Sequence, residues 1–183
     1  MASPYLDTFL EDFRAKMPAA PASAKGRKAT WLLVACIDGR YPHVVHKWMG
    51  GKHPTELYDQ INLAGASLGV VDIITERPQW RQTMLDHIGL SMTLHPIRGV
   101  LILDHRTCGA FRQFKLLTTA EENTPREVDC HTDVSAEIFR SVLRLFRMRK
   151  RRGYVAVYLA PEVTDPGADD FPSAPLRLHE GHA

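Results

Sequence analysis

Three stretches of the chain are apolar without polar interruption: residues 30–37 (TWLLVACI), 99–103 (GVLIL) and 154–159 (YVAVYL). A strand with one face in water alternates, whereas an unbroken run marks a strand covered on both faces, as in a parallel sheet. ELYDQINL at 56–63 is a weaker fourth strand. Helical spacing fits between them. Residues 80–94 place Met84, Leu85, Ile88 and Met92 along one side, and 110–117 form a shorter helix. The clearest helix is 133–152, with Ile138, Val142, Leu145 and Phe146 on one face, Thr132 and Asp133 at its opening, basic residues in its last turns and Gly153 after it. Ser3-Pro4 opens a short amphipathic helix bearing Tyr5, Leu6, Phe9, Leu10 and Phe13. Its apolar face covers either its own body or a neighbouring subunit. Strands alternating with helices predict an α/β fold around a mainly parallel central sheet. The chain reads as one domain over 1–183, with a helical arm at 1–14, a linker at 15–29, a core at 30–163 and a loosely packed tail at 164–183.

Composition narrows the class without changing it. The 183 residues are 44% hydrophobic and 24% charged, which excludes disorder and coiled coil. No apolar run approaches the ~20 residues a membrane helix needs. The N-terminal MASPYLDTFLEDFRAKMP carries acidic residues where a signal peptide is basic, so a cytoplasmic protein with reduced thiols is expected. A net charge of +2 gives no argument for nucleic acid. The basic stripe Arg140, Arg144, Arg147 and Arg151, joined by Arg149, Lys150 and Arg152, reads as a solvated face rather than a phosphate-binding one.

The chemistry lies where the buried strands end. Functional groups in open parallel sheets gather beyond the carboxyl ends of the strands. Cys36-Ile37-Asp38-Gly39-Arg40 follows the first run, and His105-Arg106-Thr107-Cys108-Gly109 follows the second. If those strands are neighbours, Cys36, His105 and Cys108 converge as two thiolates and an imidazole, a three-donor zinc set with a fourth position open. Asp38 and Arg40 stand beside it. The carboxylate either orients a water through a guanidinium-held hydrogen bond or turns to become the fourth ligand. His43, His46 and His53 follow in what reads as a loop, as rim histidines or a proton relay. Cys130-His131 reads as a helix-entry loop with an incidental thiol, and His179 and His182 as exposed.

These residues resemble the β-class carbonic anhydrases. The likeness lies in CIDGR at 36–40 and HRTCGA at 105–110 preceded by GVLILD, with weaker similarity in NLAGAS at 62–67 and TMLDHIGLSMTLH at 83–95, and it covers roughly 30–118. It implies a four-stranded parallel core with an antiparallel edge strand, zinc on Cys36, His105 and Cys108, and Asp38–Arg40 as a dyad beside the metal. It also implies a homodimer or tetramer whose N-terminal helix reaches over the partner. Gly65 and Gly109 are expected at the substrate, the backbone N–H groups near Gly109 being suited to orienting a substrate oxygen. The implied activity is zinc-dependent reversible hydration of carbon dioxide to bicarbonate by a metal-bound hydroxide. Rival readings keep the site: hydrolysis of CS2 or COS, or a catalytically silent zinc-binding paralogue. The chain departs from the family pattern at Ile61-Asn62-Leu63-Ala64-Gly65, which lacks the usual arginine, at Gly153-Tyr154-Val155, and at residues 76–80, which read as an insertion.

Overall fold

A computed structural model describes residues 4–18, 28–52, 57–72 and 74–183. Five strands, β1 (Trp31–Ala35), β2 (Tyr58–Asn62), β3 (Gly99–His105), β4 (Tyr154–Ala160) and β5 (Leu176–His182), form one sheet in the order β2-β1-β3-β4-β5. The first four are parallel, and β5 runs antiparallel to β4. All residues of β1, β3 and β4 are buried, as their unbroken apolar runs predict, whereas β2 at the edge is only partly covered.

Among the described residues there are five α-helices, α1 (Pro4–Lys16), α2 (Arg40–Lys52), α3 (Gln79–Leu94), α4 (Gly109–Gln113) and α5 (Pro125–Met148), of which all but the short α4 pack on the sheet faces. The chain leaves β1 toward β2 and then returns past β1 to β3 and β4. Right-handed crossovers in opposite directions put their helices on opposite faces. Accordingly α2 packs with α1 on one face, through Val44, Val45, Phe13 and Met17 against Trp31, Leu33 and Leu101. On the other face, α3 and α5 pack Met84, Ile88, Ile138 and Val142 against Leu32, Val34, Val100 and Val155. The winding reverses between β1 and β3, which opens a cleft at their carboxyl ends.

Several boundaries differ from the sequence reading, each for a local reason. The helix expected at 133–152 begins eight residues earlier, with Pro125 in its first turn, a position where the missing N–H costs nothing. Cys130 and His131 therefore lie inside α5 rather than in an entry loop. Residues 40–52 form α2 although Pro42 and Gly50-Gly51 resemble breakers; Pro42 falls in the first turn, where it is tolerated. His43 and His46 are thus helical, and His53 lies outside the described residues. Lys115, at φ 58°, follows the short α4, which stops at Gln113 rather than running to 117. The tail contains β5, whose alternating LRLHEGH sequence suits a half-covered edge. Within it His179 is partly buried, bonded through Nε2 to the carbonyl of Thr132 at 2.8 Å, while His182 stays exposed. On the basic stripe, Arg149 donates to Thr93 Oγ1 at 2.8 Å, and Arg151 donates to the carbonyls of Met92 and Ile97, so two of its members tie α5 to the end of α3.

The N-terminal helix extends through Lys16 into the segment expected as linker, of which residues 19–27 lie outside the described ones. Phe13 is fully buried on its own chain, with its ring 5.6 Å from Trp31 and 5.5 Å from Tyr154. What Tyr5, Leu6, Phe9 and Leu10 cover lies outside the described side chains. Gly99 lets this helix sit close: a Cβ there would stand 2.4 Å from Met17 Sδ. Lys16 adds an ion pair to Glu180 on β5 at 2.8 Å.

Phe13→Ala is expected to lower the unfolding free energy of the chain by about 3–5 kcal/mol, read from the urea midpoint at constant slope. Hydrogen bonds from Lys16 and Tyr154 hold the Glu180 carboxyl down at about 2 from its ordinary 4.5. Its contribution is therefore complete above pH 4.5 and lost as pH falls toward 2. The acid unfolding midpoint should accordingly move to higher pH in Glu180→Gln.

Candidate metal centre

β1 and β3 are hydrogen-bonded neighbours in register Ala35↔Leu103, so the segments that follow them emerge side by side. Cys36 leaves β1 just before the Asp38–Arg40 turn into α2. His105 is the last residue of β3, and Cys108 stands immediately before α4. All three are buried, and their donor atoms lie within 4.8 Å of one another.

Two details test whether these residues suit a metal. The sulfurs of Cys36 and Cys108 are 3.9 Å apart. Zn–S bonds of ~2.3 Å at a tetrahedral angle require about 3.8 Å. The His105 ring bonds through Nδ1 to the carbonyl of Arg106 at 2.8 Å. A carbonyl only accepts, so the proton sits on Nδ1 and Nε2 keeps its lone pair. That Nε2 is buried and has no hydrogen-bond partner among the described residues. A buried polar atom left unsatisfied beside two thiols is what a metal ligand looks like without its ion.

The electrostatics agree. A hydrogen bond from the Cys108 thiol, opposed by burial and assisted by His105, lowers the Cys36 thiol to about 4. The same bond, together with burial, pushes Cys108 up, so the pair shares one proton. Gly65 N–H also donates to Cys36 Sγ at 3.3 Å. Gly65 adopts φ 76°, and a Cβ there would meet Leu68 Cδ1 at 2.4 Å, so this turn needs glycine.

Asp38 is gripped by Arg40 on both oxygens, with Nε–Oδ1 at 3.0 Å and Nη2–Oδ2 at 2.7 Å, and by the Arg40 backbone N–H at 3.1 Å. The guanidinium holds this carboxyl below its usual range. Its Oδ2 lies 3.8 Å from His105 Nε2, so it faces the space between the three donors without belonging to their cluster. Arg40 also reaches Glu162 at 3.6 Å, and the Tyr41 ring lies 4.3 Å from that of His105.

The loop between His105 and Cys108 is held by a residue that sequence reading missed. Glu127, fully buried on α5, accepts from Thr107 N at 2.6 Å, Asn123 N at 2.8 Å and Arg106 Nη1 at 3.1 Å. It fixes Thr107 at φ 56°, an uncommon conformation for a β-branched residue. Asp104, Ser67 and His131 form a second buried polar cluster, next in sequence or space to the donor group. Glu127 and His131 had a legible signal, because they extend the buried stripe of Val134, Ile138 and Val142 at helical spacing, where a charged or polar group is out of place unless it has a partner.

Cys36 and Cys108, but not His105, line a cavity of about 350 Å³, with Asp38 and Gly109 beside them and Arg77, Trp80 and Phe114 on its walls. Gly65 instead meets Cys36, through its N–H. His43 is exposed on α2, and His46 pairs through Nδ1 with the Tyr58 hydroxyl at 2.9 Å. Cys130 is buried without entering the donor cluster. No described helix is long and apolar enough to cross a membrane.

The chain is 32% identical over 108 residues to an uncharacterized protein of Rickettsia bellii, covering 58% of this chain and 63% of that protein. It is also 32% identical over 100 residues to an uncharacterized protein of Rickettsia conorii, covering 55% and 51%. The chain thus spans less than two thirds of the length of these curated relatives. Among solved structures it is similar to β-carbonic anhydrase isoform I of the protozoan Trichomonas vaginalis, with a TM-score of 0.49 at 15% identity over 97% of this chain and 98% of that one. It is also similar to a tetrameric β-carbonic anhydrase of the ascomycete Sordaria macrospora, with a TM-score of 0.43 at 12% identity over 85% and 82%. The family model described as "Putative carbonic anhydrase" matches residues 26–141, well over half the chain and every residue of the donor cluster, so the chain belongs to that family.

Proposed function

We propose that the protein is a zinc enzyme that reversibly hydrates carbon dioxide, with Cys36, His105 and Cys108 as its metal ligands. The observation that carries this reading is the buried His105 Nε2, without a hydrogen-bond partner among the described residues, beside two sulfurs at zinc-compatible spacing that line a cleft where Asp38 is fixed. Zinc, when bound, would supply Lewis acidity that lowers the pKa of water toward the neutral range.

The chain's own residues do the rest. Asp38, kept ionised by Arg40, can only accept hydrogen bonds. It therefore selects a protonated oxygen at the cleft floor, either water or the hydroxyl of bicarbonate, and sets its orientation. Because the guanidinium holds both carboxylate oxygens, Asp38 is restrained from turning toward the three donors that would hold the metal and stays available to orient an oxygen in the cleft. Trp80, Phe114 and Ala110 give the cavity apolar walls suited to a small uncharged linear molecule. Arg77 contributes the cationic group on that lining, suited to the anionic product. The N–H of Gly65 disperses charge on the Cys36 sulfur, as second-shell donors to thiolates do.

Stopped-flow hydration of carbon dioxide by zinc-quantified protein tests the reading, with COS and CS2 run alongside. Turnover of carbon dioxide is expected. Turnover of COS or CS2 alone would reassign the substrate, and inactivity toward all three in fully zinc-loaded protein would overturn the enzymatic reading. Cys36→Ala should lose both zinc and hydration together. Asp38→Asn should keep zinc while hydration falls roughly 10–100-fold. Because the metal-free thiol pair shares a proton, and, against burial, the Cys36 sulfur raises His105 above its ordinary 6.5, zinc uptake near neutral pH should release between one and two protons, and the apparent affinity should fall at least roughly tenfold per unit of acidification. A pH-indicator titration with zinc measures the proton count directly.

A further inference from the structure

A second cluster of buried polar groups lies next in sequence or space to the donor group. The Asp104 carboxylate, fully enclosed, accepts three hydrogen bonds: from Ser67 N at 3.1 Å, from Ser67 Oγ at 2.5 Å and from His131 Nδ1 at 3.1 Å. Asp104, Ser67 and His131 are each at most 1% exposed. They come from β3, from the 3₁₀ turn Ala66–Val70, and from α5. A buried carboxylate is tolerated only when such donors surround it, and losing one leaves the others unsatisfied at high cost.

Each arm of this cluster ends beside a different donor of the candidate zinc site. Asp104 is the residue before His105. Ser67 stands two residues after Gly65, whose N–H donates to the Cys36 sulfur. His131 stacks at 3.9 Å on Phe111, which sits one turn after Cys108 and whose N–H returns to the Cys108 carbonyl at 3.1 Å. One carboxylate thus adjoins His105 directly and reaches Cys36 and Cys108 each through an intermediary, Gly65 on the turn that carries Ser67 and Phe111 against the His131 ring.

We propose that Asp104, held by Ser67 and His131, is the positioning hub of the metal centre, setting the spacing of all three ligands before any ion arrives. None of the three residues touches the ion or the cleft; they act through the ligands. The proposal rests on the zinc reading above but not on which substrate is turned over. Its prediction is thermodynamic: a preformed trio binds zinc more tightly than one that must be assembled, because the ordering cost is already met in folding.

The test is zinc affinity, measured by competition with a chelator of known affinity on the full chain, together with the visible absorption of the cobalt-substituted protein. His131→Phe keeps the stacked ring and removes the donor. His131→Asn restores an N–H near the position of Nδ1. Ser67→Ala removes the hydroxyl donor with little change in volume. We expect His131→Phe and Ser67→Ala each to weaken zinc binding roughly 10–100-fold and to shift the cobalt bands, with His131→Asn recovering most of both. If His131→Phe does not fold, Ser67→Ala decides alone. Unchanged affinity and unchanged cobalt bands in the folded variants would overturn the hub, even if their melting temperatures fall, since lowered stability alone is all that a purely structural role predicts. A wild-type protein that binds no zinc would overturn both the hub and the zinc reading. A wild-type protein that binds zinc without hydrating carbon dioxide would overturn only the enzymatic reading.

Discussion

The reversal of winding at β1 is the constraint from which the site follows. The chain passes from β1 outward to β2, then back across β1 to β3, and the handedness of each crossover sends α2 and α3 to opposite faces. No crossover helix can cover the point where the two directions part. The backbone emerging there from β1 and β3 is therefore both adjacent and uncovered, and the residues immediately following those strands meet regardless of how far apart they stand in the chain. Cys36 and Cys108 are 72 residues apart and their sulfurs are 3.9 Å apart. The continuous apolar packing of β1, β3 and β4 makes this geometry rigid, since a register slip would move whole strands out of a closely packed interior.

Around that opening the protein concentrates its buried polar groups. Glu127, Asp104 and His131 are fully enclosed, yet each has partners within hydrogen-bond distance. Such groups contribute little net stability, because the cost of removing them from water offsets most of the attraction. Their value is directional. Glu127 organises the turn between two of the donors, and Asp38 and Arg40 fix one another at the rim. The polar groups therefore define the shape of the site, while the apolar faces of α1, α3 and α5 supply the stability that holds it.

The two halves differ in how legible they were. The covered strands were readable because burial on both faces leaves an unbroken apolar run, and the donors were readable because they follow those runs directly. β5 was not, since an edge strand bonded on one side needs no apolar run, and its Arg177, Glu180 and His182 look like a solvated tail. α2 was hidden by Pro42 and Gly50-Gly51, residues that break helices in general but are tolerated where they fall here. The true start of α5 was legible only in the spacing of Glu127 and His131, polar residues that continue its core-facing stripe and whose partners, Thr107 and Asp104, are distant in sequence. Sequence periodicity reports which face is buried. It does not report which polar group on that face has found a partner.

The turn at Thr107 shows what such a partnership entails. A threonine backbone at φ 56° is unfavourable by roughly 1–2 kcal/mol, and the Glu127 carboxylate is what makes that twist affordable. Positions 107 and 127 are consequently coupled in one direction: a glycine at 107 would adopt this φ without strain and still present its N–H to Glu127, which Arg106 and Asn123 also need, whereas an acid lost first would strand the threonine in a contour with nothing to hold it. The permitted order of changes, and not merely their number, is written into this corner of the molecule.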